Sequence, residues 1–164
     1  MSENTSRREF LKLAGKGVLG AAALSTGPAM LPALAEGVEA PAWPWAYKKL
    51  DKDAVMKHGY ECFYSHGGCC AGAVAAVVEL LADEYGYPYN QLNARMFADG
   101  AGGYGAATLC GSLGGACAIF GLFCEANEAR ELRDQLYAWY KDHAFPSYQP
   151  EMESITTVSG AIEC

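Results

Sequence analysis

The segment that most constrains the fold is residues 69–85, CCAGAVAAVVELLADEY, which is apolar on nearly every face. Gly67 and Gly68 precede it, and Gly86 and Pro88 follow it, so residues that interrupt a helix bound it on both sides. A helix without a polar face is stable only where other elements surround it. The sequence therefore predicts a helix at the centre of a bundle.

The flanking segments predict four more helices, each with a residue that can cap its start. Their expected spans are residues 51–64 capped by Asp51 or Asp53, 90–98 capped by Asn90, 109–124 capped by Thr108, and 127–143 capped by Asn127. No long alternating run of β-branched residues interrupts them. The sequence therefore predicts an all-α fold, a compact bundle of about five helices.

Residues 6–12, SRREFLK, resemble the twin-arginine export signal S/T-R-R-x-F-L-K. An Ala- and Gly-rich stretch over residues 17–35 follows and ends in Ala33-Leu34-Ala35, a small-x-small cleavage site. Residues 1–35 are therefore predicted to be a signal peptide that the twin-arginine translocase recognises, and the protein is predicted to be periplasmic. Proteins exported in the folded state commonly carry a cofactor. An uncleaved membrane anchor is the alternative interpretation.

The remaining sequence divides into three parts by composition. Residues 36–50 are an irregular Pro- and Trp-rich lead-in, residues 51–145 a helical redox domain, and residues 146–164 an irregular tail that is consistent with a truncated sequence. Without residues 1–35 the chain carries 8 basic and 17 acidic residues, a formal charge of −9. That charge argues against nucleic acid as a partner, because phosphate contacts require Lys and Arg.

All seven cysteines lie outside the predicted signal peptide. An odd number of cysteines in a domain that folds before export favours metal ligation over a set of disulfides. Cys70 and Cys110 are both predicted in the first turn of a helix, where unpaired N–H groups and the helix dipole stabilise a thiolate. Both cysteines are therefore expected to have a lowered pKa, and to bind iron or zinc or to attack in redox exchange.

Three segments resemble the redox-active protein family that is named for its C…GCAxxG…C…C cysteine pattern. Residues 68–74, GCCAGAV, and residues 110–116, CGSLGGA, are similar to two of its motifs, and residues 159–164, SGAIEC, resemble the start of its C-terminal cysteine motif. Within the family, residues 41–164 most resemble the split-Soret cytochromes c. The resemblance implies a helical homodimer that exchanges electrons with a redox partner protein, an iron or iron–sulfur site on cysteines, and haem c.

The predicted metal site consists of Cys70 and Cys110, joined by Cys164 and Cys117, and no catalytic residue is predicted. The 164 residues contain no CxxCH, so haem c is expected only if the chain continues beyond residue 164. The pattern favours an electron carrier or redox subunit over an enzyme with a substrate of its own.

Two other functions remain open at this point. The first is a metal-free thiol–disulfide protein in which Cys70 and Cys110 cycle between dithiol and disulfide. The second is a structural or dimerisation domain whose partner carries haem. A role as a ligand is also undecided for residues that are equally typical of buried filler or polar loops: Cys62, Cys69, Cys124 and His66.

Overall fold

The computed structural model describes residues 40–164, whose regular structure is almost entirely helical. This part of the chain contains four α-helices, α1 (Lys52–Ser65), α2 (Cys69–Tyr85), α3 (Gly111–Phe123) and α4 (Ala126–Asp142). The short helix expected after residue 90 is a 3₁₀ helix, Ala94–Gly100, preceded by a single 3₁₀ turn, Tyr89–Gln91. The predicted all-α class and bundle of about five helices are therefore confirmed.

Helix α2 lies at the centre of this bundle and packs against α1, α3 and the 3₁₀ helix. Val74, Val78 and Leu81 are at most 1% exposed, and the two valines form one cluster with Ile119 of α3 and Ala94 of the 3₁₀ helix. Burying one such aliphatic side chain contributes about 1.5–3 kcal/mol. The apolar surface that predicted a central helix is thus what holds α2 in place.

The start of α1 is capped as predicted, because the Asp51 side chain accepts a hydrogen bond from the Ala54 N–H at 2.9 Å. The other three predicted caps are wrong. A turn of π type over Gly103–Ala107 uses the residues before α3, so that helix starts later than its sequence indicates. The observed N-cap residues and those they replace are Asn93 for Asn90, Cys110 for Thr108, and Glu125 for Asn127.

The predicted signal peptide and the first four residues of the lead-in lie outside the described residues. The rest of the lead-in runs along the end of α3. The Trp43 indole Nε1–H donates to the Gly121 carbonyl at 2.8 Å, and the Trp45 N–H donates to the Leu122 carbonyl at 3.0 Å. Within residues 40–164, no helix is both long and apolar enough to cross a membrane.

The tail folds back on the bundle through a short antiparallel pair. Strand β1 (Ala144–Phe145) pairs with β2 (Thr157–Val158), with Ala144 opposite Val158 and Phe145 opposite Thr157. Beyond β2, the Gly160 N–H donates to the Lys141 carbonyl of α4 at 3.0 Å. The tail is therefore directed from the end of α4 towards the start of α3.

Candidate functional site

Cysteines from three separate segments meet at one end of the bundle. Cys69 and Cys70 open α2, Cys110 is the N-cap of α3, and Cys164 lies in the tail. The side chains of Cys110 and Cys164 lie close enough to affect each other's acidity. Electrostatic interactions link Cys110 with Cys70, and Cys164 with Cys69. We call these four residues the thiol cluster.

Two glycines allow the sulfur atoms of α2 to lie against neighbouring backbone. A Cβ atom at Gly100 would lie 2.6 Å from Cys70 Sγ, and a Cβ atom at Gly111 would overlap Cys69 Sγ. The same Cβ atom at Gly111 would lie 2.7 Å from the Gly100 carbonyl oxygen. At Gly111 a Cβ atom would meet backbone as well as sulfur, so glycine is required there, whereas a Cβ atom at Gly100 would displace only the Cys70 side chain. The end of the 3₁₀ helix and the start of α3 are thus shaped around Cys69 and Cys70.

Backbone hydrogen bonds fix the tail beside α3. The Cys110 N–H donates to the Ile162 carbonyl at 2.7 Å, and the Gly111 N–H acts to lower the pKa of Cys164. The Cys164 side chain is exposed to solvent, yet it is held next to Cys110. The last residue of the described tail is therefore positioned at the open side of the thiol cluster.

Cys110 and Cys70 differ in acidity although both start helices. Burial acts to raise the pKa of Cys110, but Tyr140 Oη at 3.4 Å and the N–H groups of Ser112 and Leu113 donate to its sulfur and hold the pKa below the usual value. Burial and the two neighbouring thiols raise the pKa of Cys70. The lowered pKa expected for Cys110 is confirmed. That expected for Cys70 is wrong, because its sulfur packs against Gly100 and the residue is only 2% exposed.

Cys117, the fourth predicted ligand, does not lie in the thiol cluster. Seven residues separate it from Cys110, which is two helical turns or about 10 Å along the axis of α3. Its Sγ lies 3.6 Å from Tyr137 Oη of α4. The structure therefore brings Cys70, Cys110 and Cys164 together and adds Cys69 to them, while Cys117 contacts a different part of the bundle.

A second polar cluster joins α1 to α2; the sequence analysis left Cys62 and His66 undecided as ligands and missed their grouping with His58 and Glu79. His58 Nε2 lies 2.9 Å from Glu79 Oε2, and Cys62 Sγ lies 3.4 Å from His58 Nε2 and 3.6 Å from Glu79 Oε2. His66 Nε2 lies 2.8 Å from the other carboxylate oxygen, Glu79 Oε1. We call these four residues the histidine–glutamate cluster. A signal was present, because His58, Cys62 and His66 are four residues apart and so share one face of a helix.

Contacts within the histidine–glutamate cluster shift the pKa values of Glu79 and Cys62. Burial acts to raise the pKa of Glu79, but the hydrogen bonds from His58 and His66 hold it below its usual value. Burial and the nearby Glu79 carboxylate raise the pKa of Cys62 to about 11. Cys62 is therefore a thiol at neutral pH and donates to the carboxylate. The ligand atoms of His58, Cys62 and Glu79 all lie within 4.8 Å of one another.

Known proteins resemble this chain in both sequence and structure. Residues 68–164 match the family described as "Putative redox-active protein (C_GCAxxG_C_C)". Split-Soret cytochrome c from Desulfovibrio desulfuricans is 34% identical over 111 residues, which cover 66% of this chain and 40% of that protein.

A solved structure of split-Soret cytochrome c from the same organism, described as containing a novel iron centre, matches with a TM-score of 0.69 and 30% identity. The match covers 73% of this chain and 54% of the solved chain. The chain thus spans about half or less of the length of this relative.

Proposed function

Since this chain belongs to the C_GCAxxG_C_C family of redox-active proteins, we propose that it is an electron-transfer protein whose thiol cluster holds an iron centre. The observation that carries the proposal is the convergence of Cys110, Cys164 and the Cys69–Cys70 pair from three segments of the chain. Thiolates that converge in this way are the usual ligands of iron–sulfur centres. The solved relative is described as containing an iron centre.

The chemistry of the thiol cluster suits such a centre. Cys110 has a lowered pKa, so it already favours the thiolate form that binds metal. Cys70 lies on the buried side of the thiol cluster and Cys164 on its solvent-exposed side. A bound centre would therefore be shielded from solvent on one side and open to it on the other. An iron or iron–sulfur centre bound there would supply one-electron transfer. Tyr140 would remain a hydrogen-bond donor to the Cys110 sulfur, and such donors tune the potential of thiolate-bound iron.

The proposal extends to the place where the protein works. Residues 6–12 resemble a twin-arginine signal, which favours assembly of the centre in the cytoplasm, export of the folded protein and function in the periplasm. There it acts as a carrier or redox subunit, as a homodimer, with a protein partner that supplies or accepts electrons. Attachment of haem c would require a CxxCH segment, which residues 1–164 do not contain.

The test is the iron content and visible absorption of the purified protein. Replacing both Cys110 and Cys164 by serine is expected to abolish bound iron and the associated absorption. Cys117→Ser is the matched control, because Cys117 lies on the same helix about 10 Å from Cys110 and is expected to leave both unchanged. Iron retained by the double variant, or lost equally in the control, would show that the thiol cluster is not the site.

A metal-free thiol–disulfide protein is the second candidate, and one contact favours it. The Cys164 thiol interacts with the Cys110 sulfur, whose pKa is lowered. Such a pair can exchange electrons as dithiol and disulfide. This assigns the redox pair to Cys110 and Cys164, whereas the sequence analysis considered Cys70 and Cys110. A colourless, iron-free protein that forms a reversible Cys110–Cys164 disulfide would favour this candidate over the first.

A further inference from the structure

The histidine–glutamate cluster lies outside the thiol cluster and plays no part in the function proposed above. Glu79, its member on α2, is nine residues beyond Cys70, which is about 14 Å along the helix axis. His58 and Cys62 are one turn apart on α1 and both side chains reach Glu79. The cluster therefore needs an explanation of its own.

The distances within the cluster are close to those of a metal site. In tetrahedral zinc sites, Zn–N and Zn–O bonds of about 2.0–2.1 Å and a Zn–S bond of about 2.3 Å separate neighbouring ligand atoms by about 3.3–3.6 Å. Here the separations are 2.9 Å for His58 Nε2 to Glu79 Oε2, 3.4 Å for His58 Nε2 to Cys62 Sγ, and 3.6 Å for Cys62 Sγ to Glu79 Oε2. Only the histidine and the carboxylate would have to separate, by about 0.4 Å, to admit the ion.

The surroundings orient these ligand atoms in the way that outer residues of metal sites do. Glu79 presents one oxygen to His58 and Cys62, while its other oxygen is held by His66 at 2.8 Å. The second ring nitrogen of His66 lies 2.8 Å from Ser65 Oγ, which fixes the ring in turn. Hydrogen-bonded partners behind a coordinating carboxylate are typical of metal sites.

Cys62 distinguishes the cluster from a simple ion pair between two helices. An ion pair would need only Glu79 and one histidine, yet the sulfur of Cys62 contacts both partners. Cys62 is 2% exposed, whereas the side chains of His58 and Glu79 are 24% and 31% exposed. The sulfur thus lies on the buried side of the cluster, and the histidine and the carboxylate lie on its solvent side, from which an ion can enter.

We propose that His58 Nε2, Cys62 Sγ and Glu79 bind one divalent transition-metal ion of the zinc type, with His66 as the residue that positions Glu79. Imidazole, thiolate and carboxylate are all ligands of Zn²⁺, and three protein ligands leave a fourth position for water. The site is independent of the thiol cluster, and the proposal does not rest on the iron centre.

The test uses Co²⁺ as a spectroscopic probe under anaerobic conditions, with full-length protein. The Cys110→Ser/Cys164→Ser variant serves as the background, because it lacks two of the four thiols of the thiol cluster, which could itself bind Co²⁺. This variant is expected to bind one Co²⁺ with thiolate-to-cobalt absorption, and adding Cys62→Ser is expected to abolish that absorption. Adding Cys124→Ser instead is the matched control, because Cys124 is likewise a thiol beside a carboxylate, that of Glu128, and the absorption is expected to remain.

Two further variants protect the test against misfolding of Cys62→Ser. In the same background, His66→Gln is expected to weaken Co²⁺ affinity by about 10- to 100-fold with the thiolate absorption retained. Zn²⁺ is expected to raise the melting temperature of the background variant but not after His58→Gln is added. Thiolate–cobalt absorption that survives Cys62→Ser in this background, or that is absent from the Cys110→Ser/Cys164→Ser variant itself, would refute the proposal. Loss of iron from the latter variant tests the thiol cluster separately.

Discussion

Gly100→Ala tests whether the thiol cluster depends on the close approach of the 3₁₀ helix to α2. Gly100 is buried and does not adopt a left-handed backbone conformation, so alanine is compatible with its φ. A Cβ atom there would lie 2.6 Å from Cys70 Sγ and 3.0 Å from Cys70 Cβ. The substitution therefore acts on one neighbouring side chain, that of Cys70.

The size of the effect follows from that contact. Carbon atoms and their nonbonded neighbours are normally about 3.5–4.0 Å apart, so Cys70 Sγ would have to move by about 1 Å. Overpacking of this kind destabilises the fold by about 1–3 kcal/mol. Replacing glycine by alanine also lowers the conformational entropy of the unfolded state, which stabilises the fold by about 0.4–1 kcal/mol. The expected net loss in the free energy of unfolding is roughly 0.5–2 kcal/mol.

Gly114→Ala is the matched control for this experiment. Its Cβ atom would approach the same sulfur, but only to 4.0 Å, an ordinary contact. Gly114 lies inside α3, where alanine is expected to stabilise by about 0.5–1 kcal/mol. The two substitutions are therefore expected to change stability in opposite directions.

The assay is urea unfolding, combined with the iron content of the same preparations. Gly100→Ala is expected to lower both, whereas Gly114→Ala is expected to leave iron unchanged. Cys70→Ala removes the sulfur that the new Cβ atom would meet. The double variant Gly100→Ala/Cys70→Ala is therefore expected to lose less free energy of unfolding than the two single variants lose in sum. A Gly100→Ala protein as stable as Gly114→Ala, with its full iron content, would refute the reasoning.

Three further predictions concern the thiolate, the core and the first helix. Tyr140→Phe removes a donor to the Cys110 sulfur and is expected to raise the pKa of Cys110, seen as a shift to higher pH in its alkylation rate profile. Because the pKa of Cys110 is lower in the folded protein, its thiolate stabilises the fold above the unfolded pKa, and this contribution is lost as the pH falls through the folded pKa. The free energy of urea unfolding is therefore expected to depend less on pH in Tyr140→Phe than in the wild type. Leu81→Ala is expected to cost about 2–5 kcal/mol in urea unfolding, because its side chain is fully buried. Asp51→Ala is expected to cost about 1 kcal/mol in the same assay, because the Ala54 N–H loses its cap.

The sequence predicted the helices well and their starts poorly, for a physical reason. The burial of α2 could be predicted because a helix without a polar face has only one stable environment. The start of α3 could not, because it depends on the turn Gly103–Ala107, in which Tyr104 has a φ of 57°. A residue other than glycine seldom adopts that conformation, so composition carries no sign of it.

The thiol cluster was partly predictable. Cys110 follows from its motif, and two N–H groups that lower its pKa follow from its place at a helix start, whereas the larger effect of the hydrogen bond from Tyr140 does not. The sequence does not show which of Cys69 and Cys70 faces the site. Adjacent helical residues point about 100° apart, so the rotation of α2 relative to α3 determines which sulfur does. The seven-residue spacing of Cys117 from Cys110 indicated a shared face, but it also separates the two by two turns.

The position of α2 in the bundle affects the geometry of both clusters. Helices α1 and α2 approach closely, because a Cβ atom at Gly72 would lie 3.0 Å from Phe63 backbone atoms and one at Gly59 would lie 3.1 Å from Ala76 Cβ. This close approach is what lets Glu79 of α2 reach His58 and Cys62 of α1. The same helix carries Cys69 and Cys70 at its start. A substitution that forced α1 and α2 apart would therefore disturb the ligands of both clusters, although the clusters share no residue. Selective loss at one cluster consequently argues for a direct role of the residue replaced, whereas joint loss indicates a displacement of α2.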